Sequence, residues 1–282
     1  MDISALLTVL HEKAERRQPI ISTGCGTGFS AASMDRAGCD LLVVYTSSYY
    51  RMRGRSSMAS TLPCGDANAI IESLASEILP VIKRAPVIAG VLAADPFRPL
   101  PALVARMKEL GYAGVQNYPT AGQVDGVLRE ALEEAGLVHF DRLGYETEIA
   151  LVAEAKKQGL LTQPYAFNET EAEAMAVAGC DLLIAHMGIQ TKAKAAREGK
   201  MTLDDAAKKA ARIADAAHAA RKDVLVLCHG GPINLPEDLA YVMRHAPGIA
   251  GIYGASVAEY NPASAAIGAR VEEFLSLAPF AE

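Results

Sequence analysis

The 282-residue sequence predicts an α/β fold, a single (β/α)8 TIM barrel with an extra N-terminal helix, spanning residues 1–282 as one domain. Three observations predict it. Short β-rich runs alternate with helical patterns from end to end; several runs, such as LLVVY, LLIAH and VLVLC, are almost unbroken aliphatic stretches; and one hexapeptide recurs at half the chain length. Unbroken apolarity is expected of parallel strands buried on both faces.

The opening stretch MDISALLTVLHEKAERRQ has amphipathic helical spacing and ends in charge, so it is read as a helix that covers the barrel bottom or packs beside the last helix. The strands then follow at Pro19–Thr23, Asp40–Tyr45, Val87–Leu92, Gly114–Asn117, Leu161–Tyr165, Asp181–His186, Val224–Cys228 and Gly248–Tyr253. Helical patterns between them include Leu103–Leu110, Glu169–Ala178, Leu203–Ala220 and Pro236–Arg244, and Gly111 and Gly179 mark helix exits. The repeated hexapeptide, AGCDLL, stands at Ala37–Leu42 and Ala178–Leu183, each time joining a helix to a strand. A barrel of two four-unit halves would show such a repeat, whereas a doubly wound open sheet, the alternative for the same alternation, has no need of it.

Composition narrows the function. The net charge of −6 and the absence of a dense basic stretch argue against nucleic-acid binding. No apolar run approaches the roughly 20 residues that span a bilayer, and the N-terminus lacks the features of a signal peptide. Five scattered cysteines make neither a disulfide framework nor a CxxC zinc pattern, which points to a reducing, cytoplasmic setting without a cysteine metal site.

In such barrels the reacting groups come from the carboxyl ends of the strands and the loops after them. That rule collects Gly24, Cys25 and Thr27 in GCGTG, Ser47 after strand two, Asp95 after strand three, Asn117 after strand four, His186, His229 with Gly230 and Gly231, and Gly254 with Ser256 in YGAS. The glycines allow backbone N–H groups to approach a phosphate or carboxylate, or simply turn the chain. His186 and His229 could each move a proton near neutral pH. Cys25 is a candidate nucleophile if its turn lowers the thiol pKa. Asp95 could ligate Mg²⁺ or cap an Asp-Pro turn. The long segment Thr46–Asp66 is read either as a lid or binding loop whose Arg51, Arg53 and Arg55 could clamp an anion, or as a solvated excursion or oligomer contact.

The runs GDANAI, GVQNYPTAGQVDG, LLTQPYAFN, AHMG, LCHGGPI and IYGAS, in that order, together resemble the phosphoenolpyruvate hydrolase-like TIM-barrel family and, more distantly, the phosphoenolpyruvate mutase/isocitrate lyase group. The resemblance implies a hydrolase or lyase for a small anionic oxo-acid or phosphorylated substrate, acting through an enolate-like state. It also implies Mg²⁺, no organic cofactor, self-association, and a site role for Glu148 in YETEIALV beside His186 and His229. The acidic cluster typical of the mutase group after strand three is reduced here to Asp95, and the strand-six loop reads IQTKAK where a Gly-rich segment is expected. A non-catalytic ligand-binding or regulatory barrel of the Tm-1 type is the alternative.

Overall fold

A computed structural model of the chain describes residues 2–138, 143–189, 195–196 and 199–277. The strands are β1 (Ile20–Cys25), β2 (Leu41–Val44), β3 (Val87–Val91), β4 (Gly114–Asn117), β5 (Leu161–Thr162), β6 (Tyr165–Ala166), β7 (Leu182–His186), β8 (Leu225–His229) and β9 (Ile249–Gly254). All pairs are parallel, in the order β5-β4-β3-β2-β1-β9-β8-β7-β6.

The fifth strand, expected as one run, is broken by Gln163-Pro164, because proline has no N–H for the ladder. Its two halves are the two edges of the sheet. The three Cα–Cα steps from Thr162 to Tyr165 reach no more than about 11 Å, so those edges lie side by side and the sheet closes on itself. The break carries hydrogen bonds to both neighbours: Gln163 N donates to Val115 O of β4, and Ile184 N of β7 donates to Pro164 O. The result is the eight-unit barrel.

The helices are α1 (Ile3–Glu15), α2 (Gly28–Ala37), α3 (Thr46–Met52), α4 (Ala67–Ile78), α5 (Leu100–Leu110), α6 (Gly126–Val138), α7 (Tyr145–Lys157), α8 (Glu169–Val177), α9 (Leu203–Ala220), α10 (Pro236–His245) and α11 (Tyr260–Leu275). Residues 46–66 are thus not one long loop: α3 and a 3₁₀ turn at Ser57–Thr61 give them structure. Inside the barrel, Ile20, Leu41, Val43, Ile88, Leu161, Leu182, Ile184, Leu225 and Leu227 form a packed core, and Leu10 of α1 belongs to the same cluster. The N-terminal helix therefore closes the barrel bottom. No described helix is long and apolar enough to cross a membrane.

The hexapeptide repeat has a physical basis. Gly38 and Gly179 both adopt left-handed backbone, with φ of +90° and +97°, and end their helices. Asp40 accepts from Ile21 N of β1 (2.8 Å) and from Lys13 of α1 (2.6 Å); Asp181 accepts from Thr162 N of β5 (3.0 Å) and from Lys156 of α7 (2.6 Å). Each aspartate thus latches the preceding strand and the helix before it, once in each half of the barrel.

Among the described residues no helix fills one position in the ring around the sheet. A groove of about 600 Å³ runs outside β1 and β9 beside α10, floored by Ile21, Thr23, Ile252, Leu239 and Met243. The helix that follows β9, α11, does not lie in it. No residue of α11 is buried, and Ile267, Val271 and Phe274 form an exposed apolar stripe.

Candidate active site

The strand pattern determines what faces the barrel mouth. Side chains alternate along a strand, so the position two residues above each inward core residue caps the core. Above Val43, Gln116, Gln163, Ile184, Leu227 and Gly251 stand Tyr45, Tyr118, Tyr165, His186, His229 and Tyr253. They form a connected aromatic ring system. Tyr45 lies 5.1 Å from Tyr118 and 6.0 Å from Tyr253, Tyr165 lies 5.8 Å from Tyr253 and 5.1 Å from His186, and His186 lies 4.6 Å from His229 (centroid distances).

Glycine makes this layer possible. A Cβ at Gly24 would come within 2.4 Å of the Tyr45 ring, and one at Gly90 within 2.6 Å of Tyr45 Cβ. The strands on either side of β2 thus give up their side chains to admit Tyr45. Gly24, expected as an anion cradle, serves packing instead.

Above the rings is a cavity of about 280 Å³, lined among others by Tyr45, Ser47, Arg51, Tyr118, Tyr165, His229, Gly230, Gly231, Tyr253 and Ser256. The larger groove outside the barrel is apolar and holds no such convergence of polar groups. Arg51 reaches the cavity from α3, donating to Tyr45 Oη (2.5 Å) and Ser48 Oγ (3.0 Å). Its Nε is buried without a partner, and the Tyr253 hydroxyl lies among the Tyr45 and Tyr165 phenols, with which it pairs. Tyr118 Oη meets the hydroxyls of Ser47 (2.5 Å) and Ser60 (2.6 Å), which ties the 3₁₀ turn over the cavity. Burial pushes the Tyr118, Tyr165 and Tyr253 phenols above their ordinary pKa, so they stay protonated and can donate.

The two histidines are held in different tautomers. His229 Nδ1 lies 2.7 Å from Tyr253 O; a carbonyl only accepts, so Nδ1 carries the proton and Nε2 a lone pair. His186 Nδ1 accepts from Gly188 N (2.8 Å), which puts its proton on Nε2. Burial depresses both, His229 to about 4, so both rings are neutral at physiological pH.

The remaining sequence candidates lie elsewhere. Cys25 is wholly buried between sheet and helices, bonded to Val43 O and with its thiol raised by desolvation, which removes the nucleophile reading. The GCGTG backbone is already occupied: Gly26 N donates to Glu259 Oε1 (2.7 Å) and Gly28 N to Glu77 Oε1 (2.8 Å), while Thr27 caps α2. Arg55 is exposed, and Arg53 stacks on Tyr49 at 3.8 Å. Gly254 borders the outer groove. Asn117 and Thr120 both donate to Glu148 Oε2, and Ala121 N donates to Oε1 (2.6 Å). Glu148 therefore organises the turn that carries Tyr118 and does not line the cavity. His139 and Gln190–Lys194 lie outside the described residues.

Asp95 does not fit a Mg²⁺ site. Its Oδ2 accepts from Arg98 (2.6 Å) and Asn68 (2.8 Å) and its Oδ1 from Phe97 N (2.9 Å), and it borders a separate depression with Arg98 and Glu146. Among the described residues no three His, Cys, Asp or Glu side chains are grouped to hold a metal ion.

The sequence pattern of the phosphoenolpyruvate hydrolase-like family matches residues 5–277. The chain belongs to that family. A phosphoenolpyruvate hydrolase-like relative, the ToMV susceptible protein tm-1(GCR26) of Solanum lycopersicum, is 44% identical over 272 residues, 96% of this chain and 35% of its own. The chain thus spans about a third of the length of the curated relatives it matches. Solved structures similar to this family member share its fold. One is 2,3-dimethylmalate lyase, described as a PEP mutase/isocitrate lyase superfamily member (TM-score 0.58, 15% identity, 95% of this chain and 87% of that one). Another is phosphonopyruvate hydrolase in complex with oxalate and Mg²⁺ (TM-score 0.56, 13% identity, 96% and 86%).

Proposed function

We propose that the cavity is the active site of an enzyme for a small anionic oxo-acid or phosphorylated, phosphoenolpyruvate-like substrate, which it hydrolyses or cleaves at a C–C or C–O bond through an enolate-like state. One observation carries the reading: a buried charged donor without a partner, Arg51 Nε, belongs to a residue that lines one cavity with the lone pair-bearing ring of His229. An unpartnered buried donor is costly, and an oxyanion would satisfy it. Negative charge that develops on a substrate oxygen would be held by Arg51 and the protonated phenols, while His229 Nε2 accepts a proton from carbon or water. His186 packs against His229 and positions it. The structures of similar fold, one of them a complex with oxalate, support this substrate class.

The test is a panel of phosphoenolpyruvate, oxaloacetate and other β-keto acids, followed by product chromatography, together with calorimetric titration of oxalate. Turnover of at least one compound, lost in His229→Gln, is the expected result. Oxalate binding without turnover of any compound favours the second reading, a non-catalytic ligand-binding barrel. Failure to bind or turn over anything overturns both.

The chain also self-associates in this reading, with α11 of a second copy in the groove beside α10. The groove stands where the eighth helix of the ring belongs, and α11 offers a stripe of helical spacing, Tyr260, Ile267, Val271 and Phe274. Running down the groove, its Glu272 and Glu273 would arrive near Arg17 and Arg244 at the lower end. Light scattering is expected to give a dimer or a larger closed assembly, converted to monomer by Ile267→Glu combined with Val271→Glu. A monomeric wild-type protein at tens of micromolar would rule this out.

A further inference from the structure

We propose that this cavity binds its anionic ligand without a divalent cation, with Arg51 in the electrostatic place that a metal ion would take. The inference rests on the anion-site reading above and departs from the Mg²⁺ found with oxalate in a protein of similar fold.

Three observations carry it. First, among the described residues that line the cavity none is a carboxylate. A hard cation such as Mg²⁺ is held through one or two carboxylates and keeps the rest of its shell as water or substrate oxygen; phenols, serines and glycine backbone offer no anionic ligand. Second, the buried carboxylates around the barrel mouth already have partners. Asp95 pairs with Arg98, Glu148 holds the Asn117–Ala121 turn, and Glu259 holds Gly26 N and Ser30 Oγ (2.6 Å) through Oε1; its Oε2 is buried without a hydrogen bond, but Glu259 does not line the cavity. Third, the charge already present is of the metal's own sign. Arg51 lies over the Tyr45 ring, 5.6 Å from its centroid, anchored by Tyr45 Oη and Ser48 Oγ, with Nε left for a ligand. A cation placed in the same small cavity would be repelled by it, whereas a carboxylate or enolate oxygen would be attracted. A ligand that fits is therefore a planar dianion of oxalate size, delivered free and not as its metal chelate.

The experiment is calorimetric titration of the purified full chain with oxalate, once in EDTA and once in excess Mg²⁺ corrected for the oxalate–Mg²⁺ equilibrium. In parallel, Mn²⁺ is titrated with and without oxalate and followed by its electron paramagnetic resonance signal. The expected results are affinities that agree within about twofold in EDTA and Mg²⁺, and no Mn²⁺ bound at stoichiometric level in either condition. Binding that needs Mg²⁺ or strengthens tenfold with it, or one Mn²⁺ captured per chain in the presence of oxalate, overturns the inference and leaves the anion site standing. No oxalate binding in either condition overturns the anion-site reading and this inference together.

Discussion

Arg51→Met weakens oxalate binding by about 100-fold or more while leaving the fold intact. A charged donor facing an anion in a desolvated site is worth roughly 3 kcal/mol, and each 1.4 kcal/mol is a factor of ten. Methionine has about the length of the arginine stem and leaves only neutral hydroxyls, Tyr45 Oη and Ser48 Oγ, without their donor. Lysine would recover part of the loss, because it keeps the charge but cannot bridge two acceptors and a ligand with one rigid fork. Calorimetry on the three proteins, with thermal melts as the control for folding, decides it. Affinity of the Met variant within threefold of wild type would remove Arg51 from the site.

The second large effect is on stability. Glu148→Ala strands three buried donors, Asn117 Nδ2, Thr120 Oγ1 and Ala121 N, and is expected to cost about 3–5 kcal/mol. Glu148→Gln isolates the charge. Desolvation raises the Glu148 carboxyl from 4.5 to about 7, against the pull of its hydrogen bonds and with Glu171 adding repulsion. Between those values the folded protein holds a proton that the unfolded chain has released, so stability falls as pH rises from 4.5 to 7, by roughly 3 kcal/mol in all. His229 acts in the opposite sense. Its folded pKa of about 4 lies below the ordinary 6.5, so its contribution is full above pH 6.5 and is lost as pH falls toward 4. Its ring opens partly onto the cavity, which moderates the effect. The two slopes oppose each other between pH 4.5 and 6.5. Urea denaturation across that range should therefore give a profile that climbs more steeply with pH for Glu148→Gln than for wild type, with His186, whose pKa burial also lowers, adding to the climb in both proteins. Parallel profiles would mean that Glu148 is ionised throughout.

The sequence carried the barrel further than it carried the site. Aliphatic runs and glycine exits located every strand region, because parallel strands buried on both faces must be apolar. The same property concealed their phase. In Leu41-Leu42-Val43-Val44 nothing distinguishes the residues facing the lumen from those facing the helices, so the choice between Asn117 and Tyr118, or between Gly24 and Cys25, could not be made from the strand alone. Counting two residues at a time from the lumen core picks Tyr45, Tyr118 and Tyr253; strand-end reasoning reaches Tyr45 and Tyr253 but gives none of the three a site role. Arg51, Arg53 and Arg55 posed the same problem: only the short helix α3 turns Arg51 inward, leaving Arg53 on Tyr49 and Arg55 in solvent. GCGTG looked like an anion cradle because its partners, Glu77 and Glu259, lie 49 and 233 residues away.

The tyrosine layer also sets how the protein answers to light. The chain has no tryptophan and ten tyrosines, four of which stand together around the cavity. With ring centroids 5–6 Å apart, an excitation absorbed by one phenol passes readily to the next, so these four emit as a coupled group. Phenol emission is sensitive to the hydroxyl's hydrogen bonding, and no indole is present to mask it. The intrinsic near-ultraviolet fluorescence of this protein is therefore weighted toward the site itself, and the fold carries its own optical probe of occupancy.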